Sequence, residues 1–182
     1  PEPVVPVDPA VYKIRRARET DVGAILTLIK ELAEYEKALH EVVATEVDIH
    51  ELLFVGATSP GGNPAAYCHV AEKISTEFSQ CASGIAIEKE SRTVVGFALW
   101  HLNVSTWRGR YGIYLEDLYV TPTCRGKGLG KALLQTLQEE CNARDYPRLT
   151  WQARLLSSLS FPFYLIFIFW SFSLSKLVFE LE

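Results

Sequence analysis

This chain of 182 residues predicts helices and strands mixed around one sheet, an α+β or α/β arrangement. Two observations carry that expectation. Apolar positions at helical spacing alternate along the chain with short runs rich in β-branched and aromatic residues. The stretch LEDLYVTPTCRGKGLGKALL, from Leu115 to Leu134, then reads as strand, glycine-rich turn and helix in direct succession. The length suits one domain with a sizeable core.

Pro1 to Ala10 holds four prolines and is expected to be an extended lead. Val11 to Ala17 reads as the first strand. Thr20 or Asp21 can cap a helix whose apolar stripe is Ile25, Leu28, Ile29 and Leu32. Thr45 and Asp48 have capping-box spacing for a second, short helix, with Leu52, Leu53 and Phe54 near its end. Ser59 to Pro64 is a loop. Tyr67 to Lys73 and Ile85 to Glu88 are strand candidates, Val94 to Val104 is a longer strand and Ile113 to Val120 the next. Leu129, Leu133, Leu137 and Cys141 make one face of the helix after the glycine turn, and Leu149 to Ala153 begins another strand.

Arg125-Gly126-Lys127-Gly128-Leu129-Gly130 is a tight basic turn at the start of that helix. Such a turn aims backbone N–H groups at one point, at the positive end of a helix dipole, and so makes an anion site suited to a phosphate or pyrophosphate. A P-loop does not fit, because Gly130-Lys131 is followed by Ala132 where a Ser or Thr is needed. A dinucleotide fingerprint does not fit either, because the spacing is G-x-G-x-G and the turn lies late in the chain. Just before it, Glu116 and Asp117 interrupt an apolar strand, where carboxylates are costly unless paired or functional. Strand periodicity predicts that their side chains point to opposite faces.

Arg125, Gly128 and Gly130 match in order the [QR]-x-x-G-x-[GA] pattern after a strand, which resembles the acetyl-CoA pyrophosphate loop of the GNAT acetyltransferases. LIKELAEYEKA at 28–38, STWRGR at 105–110, YLEDLYV at 114–120 and RGKGLG at 125–130 together resemble the diamine acetyltransferase family. That family holds spermidine/spermine acetyltransferases and a branch that acetylates thialysine, and the Glu-Lys after Tyr35 and the Ser-Thr-Trp at 105–107 are more similar to the thialysine branch. The similarity runs from about Val11 to about Ala153, so it implies a GNAT-type acyl-CoA N-acyltransferase fold over 11–153.

The resemblance implies acetyl transfer from acetyl-CoA to a primary amine of a small substrate, a thialysine-like amino acid or a diamine. It implies Glu116 as the base that takes the amine proton through water, with partial burial raising its pKa. It implies Asp117, Tyr35, Glu36 and Trp107 on the amine side, although Tyr35 and Trp107 read equally as packing residues and Glu36 as a solvated one. Lys37 disfavours a long polycation in that part of the groove. The backbone at Leu118 and Val120 is implied to meet the pantetheine arm. Backbone N–H groups of Arg125, Gly126, Lys127, Gly128, Leu129 and Gly130 are implied around the pyrophosphate, with Lys131 adding charge. Cys124 is read as incidental, and a homodimer is implied.

The net charge of −4 predicts no general nucleic-acid affinity. Cys68, Cys81, Cys124 and Cys141 lie far apart without metal-ligand spacing, and read as reduced thiols of a cytoplasmic protein with no metal. No signal-peptide pattern opens the chain, which lacks Met, so its natural start is expected upstream. The resemblance stops after Ala153, where the family's CoA-contacting Asn and acid Tyr have no counterpart, Tyr164 included. Residues 154–182 are an atypical apolar tail carrying six of the nine Phe. Leu155 to Ser175 is uncharged and about long enough to cross a bilayer, but holds six Ser and a Pro. The expected reading is a mis-spliced or misassigned C-terminus; a membrane segment and a different core element are the alternatives. It follows that poor solubility and impaired activity are expected. A non-catalytic CoA-binding module and a membrane-tethered variant are the competing functions.

Overall fold

The computed structural model describes residues 11–80, 86–153 and 177–181. In chain order these form β1 (Tyr12–Arg16), α1 (Val22–Tyr35), α2 (Glu46–His50), β2 (Tyr67–Gln80), β3 (Ala86–Ser105), β4 (Arg110–Val120), α3 (Leu129–Ala143), β5 (Leu149–Ala153) and β6 (Leu177–Leu181). The six strands lie side by side in sequence order. β1 to β4 pair antiparallel, and β5 and β6 join in parallel, giving the mixed sheet flanked by helices that the sequence predicts.

Each face of the sheet has its own apolar layer. The α1 stripe buries Ile25 and Leu28, with Ile29 and Leu32 partly covered, against Val70, Phe97, Leu99 and Tyr119; Ile49 and Leu53 join from α2 and the turn after it. On the opposite face α3 sets Leu129, Leu133, Leu137 and Cys141 on Ala98, Trp100, Ile113 and Leu115. A fully buried Leu of this kind contributes roughly 1.5–3 kcal/mol, so the two layers hold the helices in place. The capping box of α2 forms: Thr45 N donates to Asp48 Oδ2 at 2.8 Å, and Asp48 N to Thr45 Oγ1 at 3.3 Å.

Two strand assignments change. The separate candidates at 85–88 and 94–104 are one strand, β3, which pairs with β2 from Tyr67↔Trp100 to Gln80↔Ala86. Its first half and the partner segment after Lys73 are mostly polar, so no apolar alternation marks them as strand. β6 runs beside β5 from Leu149↔Leu177 to Ala153↔Leu181, so β5 is not an open edge over these residues. The rest of the apolar tail, including 155–175, and the lead at 1–10 lie outside the described residues. Among the described residues no helix is long and apolar enough to cross a membrane.

A buried ionic group ties the start of the chain to the sheet. Arg15 donates from Nη1 to Asp21 Oδ2 at 2.6 Å and from Nη2 to Glu72 Oε1 at 2.7 Å. Arg92 reaches Glu72 Oε2 at 3.3 Å, and the Arg18 amide donates to Asp21 at 2.7 Å. The hydrogen bond from Arg15 holds the Glu72 carboxyl below its ordinary range. For Asp21 burial works the other way and is outweighed by Arg15 and the Arg18 amide, so that carboxyl is also lowered. On the α3 face His69 is buried and accepts a hydrogen bond from Trp100 Nε1 at 3.2 Å on Nδ1. Burial, then the charge of Arg16, push the His69 imidazolium down to about 4.

An unfolded His protonates near 6.5, and the folded His69 only near 4. The unfolded state therefore binds more protons between these values, and stability falls as pH falls through that window. Urea midpoints measured from pH 7 to pH 4 should decline for the native chain and decline less for His69→Gln. The contributions of Asp21 and Glu72, whose folded values are lowered, are complete above the carboxylate range and are lost at still lower pH.

Candidate active site

The glycine turn has the geometry its composition predicts. Thr121 leaves β4, Pro122–Cys124 makes a single 3-10 turn, and Gly126 and Gly128 take φ of +75° and +78°, left-handed values that side chains with a Cβ rarely adopt. α3 starts at Leu129, and its first amide with an intrahelical acceptor is Ala132, which donates to Gly128 O at 2.9 Å. The amides ahead of it lie at the positive end of the helix. A Cβ placed on Gly126 or Gly130 would meet no atom within 4 Å, so both backbones border open space. An uncluttered turn with amides at a helix start fits a pyrophosphate. Lys127 extends to the Tyr12 hydroxyl at 3.0 Å, and Cys124 is buried under the turn.

Among the described residues, the strand leading to this turn is unpaired along one edge. β4 pairs with β5 only from Ile113↔Leu149 to Leu115↔Trp151, while it stays on β3 as far as Gly96↔Val120. The stretch from Glu116 to Val120, with Leu118 and Val120 packed by their side chains on the α3 layer, therefore has its β5-side backbone outside the ladder. That edge fits an extended arm such as pantetheine.

A β-bulge decides where the two acids go. Leu99 pairs with Asp117 and Trp100 with Leu115, so Glu116 is an extra residue in β4. Leu115 and Leu118 both face α3, although residues three apart in a regular strand face opposite sides. Asp117 shares the face of its partner Leu99, towards α1. Glu116 reaches His101, the partner of Tyr114, at 3.5 Å, and His101 also lies on the face opposite Trp100. Glu116 and Asp117 thus share one face, which corrects the expectation that they point to opposite faces. The bulge is the physical reason, since it shifts the alternation by one residue.

The environments of the two acids also differ from expectation. The Glu116 side chain is 54 % exposed, so the partial burial expected of it is slight. At Asp117 burial, then the charges of Glu116 and Glu36, push the carboxyl up to about 6.

The amine-side candidates from α1 meet Asp117. α1 ends in a Schellman motif, in which Ala38 N donates to Ala33 O at 2.8 Å and Lys37 N to Glu34 O at 3.0 Å, with Lys37 at φ +61°. This termination sets Glu36 near enough to Asp117 to bias its charge. Tyr35 is 64 % exposed and does not continue the buried stripe. Instead the Arg125 guanidinium lies 5.2 Å from the Tyr35 ring and 5.4 Å from that of Tyr119. Arg125 Nε also donates to Val120 O at 2.9 Å. Its side chain therefore staples the end of α1 to the end of β4, leaving its backbone to the turn.

Trp107 is not brought to this group. It sits in the turn between β3 and β4, 98 % exposed, so it is neither a packing residue nor a wall of this cleft. The six residue-to-residue steps of β4 from Arg110 to Glu116 separate them by about 20 Å at a rise of roughly 3.3 Å each. Tyr119 and His101, both on the acid face, are residues the sequence reading misses. Regular alternation from Leu115 would turn Tyr119 towards α3, and only the bulge brings it round. Among the described residues no cluster of three or more His, Cys, Asp or Glu could hold a metal ion.

The model of the Acetyltransferase (GNAT) family matches residues 37–164. The thialysine N-epsilon-acetyltransferase of Bos taurus is 38 % identical over 152 residues, covering 81 % of this chain and 80 % of that protein. Its counterpart in Mus musculus is 40 % identical over 130 residues, covering 71 % of this chain and 67 % of that protein. Among solved structures, an aminoglycoside acetyltransferase from an uncultured soil metagenomic sample aligns with a TM-score of 0.62 at 16 % identity, over 90 % of this chain and 91 % of that one. At that identity the likeness speaks for the fold.

The turn predicts a graded response to alanine. Gly126→Ala and Gly128→Ala force a Cβ into left-handed backbone and should each cost about 1–2 kcal/mol. Gly130 lies inside α3 with open space around it, so Gly130→Ala should be neutral or stabilise by up to about 1 kcal/mol. Urea denaturation of the three variants checks this order.

Proposed function

The chain belongs to the GNAT acetyltransferase family and is an acetyl-CoA-dependent N-acetyltransferase acting on amines, and from that premise we propose that its substrate is a small primary amine, a thialysine-like amino acid or a diamine, acetylated directly with Glu116 as the water-mediated base. The observation that carries this reading is the bulge, which sets Glu116 and Asp117 on one face beside the open edge of β4.

The residues divide the work by charge. Acetyl-CoA supplies the thioester carbonyl and the leaving thiolate. Amides of Arg125, Gly126, Lys127, Gly128, Leu129 and Gly130 take its pyrophosphate, Lys131 adds positive charge, and the Leu118 and Val120 backbone holds the arm. Asp117, with Tyr35 and Glu36, attracts and orients the ammonium group of the substrate. Glu116, exposed to water, takes the proton that makes the amine nucleophilic. Asp117 is a second candidate for the base, favoured by its carboxyl lying near 6, closer to neutrality than an ordinary carboxylate.

The unit carrying this activity is a single domain over 11–153. Val104, Trp107 and Tyr111, exposed together at the β3–β4 turn, support a homodimer that would cover them. Unbridged Cys68, Cys124 and Cys141 support a reducing, cytoplasmic setting. A non-catalytic CoA-binding module would bind acetyl-CoA in a calorimetric titration and show no turnover with thialysine or diamines. Loss of turnover would also fit a chain impaired by its atypical tail.

Glu116→Gln should lower kcat by about 100-fold or more while changing the acetyl-CoA Kd by less than about threefold. An equal loss in both would mark Glu116 as structural. The Asp117 carboxyl, raised to about 6, carries charge above that pH and loses it below. KM for the amine should therefore rise as pH falls through 6, and Asp117→Asn should raise it at pH 8 and flatten that dependence. If Asp117→Asn instead abolishes kcat and Glu116→Gln spares it, Asp117 is the base.

A further inference from the structure

We propose that His101 is a positioning residue behind Glu116, receiving on Nε2 the proton that Glu116 removes from the amine; this rests on the assignment of Glu116 as base. His101 stands on β3 next to the bulge, its side chain 38 % exposed and its ring stacked on Tyr114 at 5.1 Å between centroids. Nδ1 lies 3.2 Å from the Leu102 carbonyl oxygen. A carbonyl oxygen only accepts, so Nδ1 carries the hydrogen of the neutral ring and Nε2 presents a lone pair. That lone pair faces Glu116 Oε2 at 3.5 Å. Two acceptors facing each other at this distance are mismatched until one proton arrives, and the pair is then an imidazolium beside a carboxylate.

Tyr114 and Glu116, both from β4, are the titratable groups that the described contacts set against the ring. β2 ends short of it, since its first paired residue, Tyr67, lies opposite Trp100. Behind Glu116 stand Asp117 and Glu36, two more carboxylates that favour a cation at this place.

The step balances. The ammonium substrate gives one proton through water to Glu116 and on to His101 Nε2. The amine nitrogen then bonds to the thioester carbon, the C–S bond breaks, and the second amine proton leaves with the sulfur as free thiol. His101 returns its proton to solvent through its exposed edge.

Two variants of the full chain decide the matter. His101→Ala removes the ring, and His101→Asn keeps an amide that can donate to Leu102 O but cannot take a proton. Both should lower kcat on the order of 10- to 100-fold with KM for amine and acetyl-CoA changed by less than about threefold. Added imidazole should restore part of the kcat of His101→Ala, in step with its neutral form. Glu116→Gln should be slowed no further by adding His101→Ala, because the two groups act in series. Native kcat in His101→Asn overturns the proposal, as does a double variant whose losses multiply. Native kcat in Glu116→Gln removes the base assignment instead, and is read from that variant alone. Independently of turnover, the ¹⁵N spectrum of the neutral ring should show the Nδ1–H tautomer, and the Nε2–H tautomer would overturn the proposal.

Discussion

One extra residue in β4 organises the active face. The sheet pairs Leu99 with Asp117 and Trp100 with Leu115, so Glu116 has no partner and the alternation of β4 shifts by one. Before the shift, Ile113 and Leu115 feed the layer under α3; after it, Leu118 and Val120 do. Both layers stay filled, and the irregular ladder brings the two acids onto one face, Glu116 exposed and Asp117 partly buried beside the α1 layer. A regular strand would send Glu116 and Asp117 to opposite faces, one of them against α3. The same strand parts from β5 after Leu115, so acids and open backbone edge begin at one point.

The rest of the fold holds this point from three sides. α1 brings Tyr35 and Glu36 because its Schellman ending stops the helix there, even though the left-handed position is taken by Lys37 and not by glycine. Arg125 then fastens that end by lying on Tyr35 and Tyr119 and donating to the Val120 carbonyl. Further away, the Arg15, Asp21, Glu72 and Arg92 group locks β1 and the start of α1 onto β2 and β3. Replacing one partner of such a group leaves a buried charge uncompensated, which is costlier than the pair is worth as a pair. Its role is to fix where α1 starts, and so where Tyr35 and Glu36 end up.

Much of this was legible in the sequence, for local reasons. The glycine turn, the capping box of α2 and the stripes of α1 and α3 depend on residues within a few positions of one another, and they stand where their patterns put them. The bulge depends on which residues of β3 lie opposite Glu116, and no local pattern encodes that. The faces of Glu116, Asp117, Tyr119 and His101 were hidden with it. Trp107 misleads for a related reason: the motif that contains it is continuous in sequence with β4, but strand geometry carries it to the far end. The polar halves of β2 and β3 lack the alternation that would have joined them into one hairpin.

The order of charges along β4 and its turn has a physical logic. The substrates carry opposite charge, a pyrophosphate on one and an ammonium on the other, and their reacting ends must meet. Acids and basic turn placed together would neutralise each other; separated widely, they would hold the substrates apart. Here Glu116 and Asp117 lie towards α1, and the turn begins after Val120, with the open edge between them. Arg125, the first basic residue of the turn, directs its guanidinium to the rings of Tyr35 and Tyr119 and to the Val120 carbonyl. Burial first, and then the like charges of Glu116 and Glu36, therefore push the Asp117 carboxyl up instead of down. A buried acid with like charges beside it gains most from an incoming cation, so the surroundings that raise Asp117 are also those that would favour an ammonium group beside it.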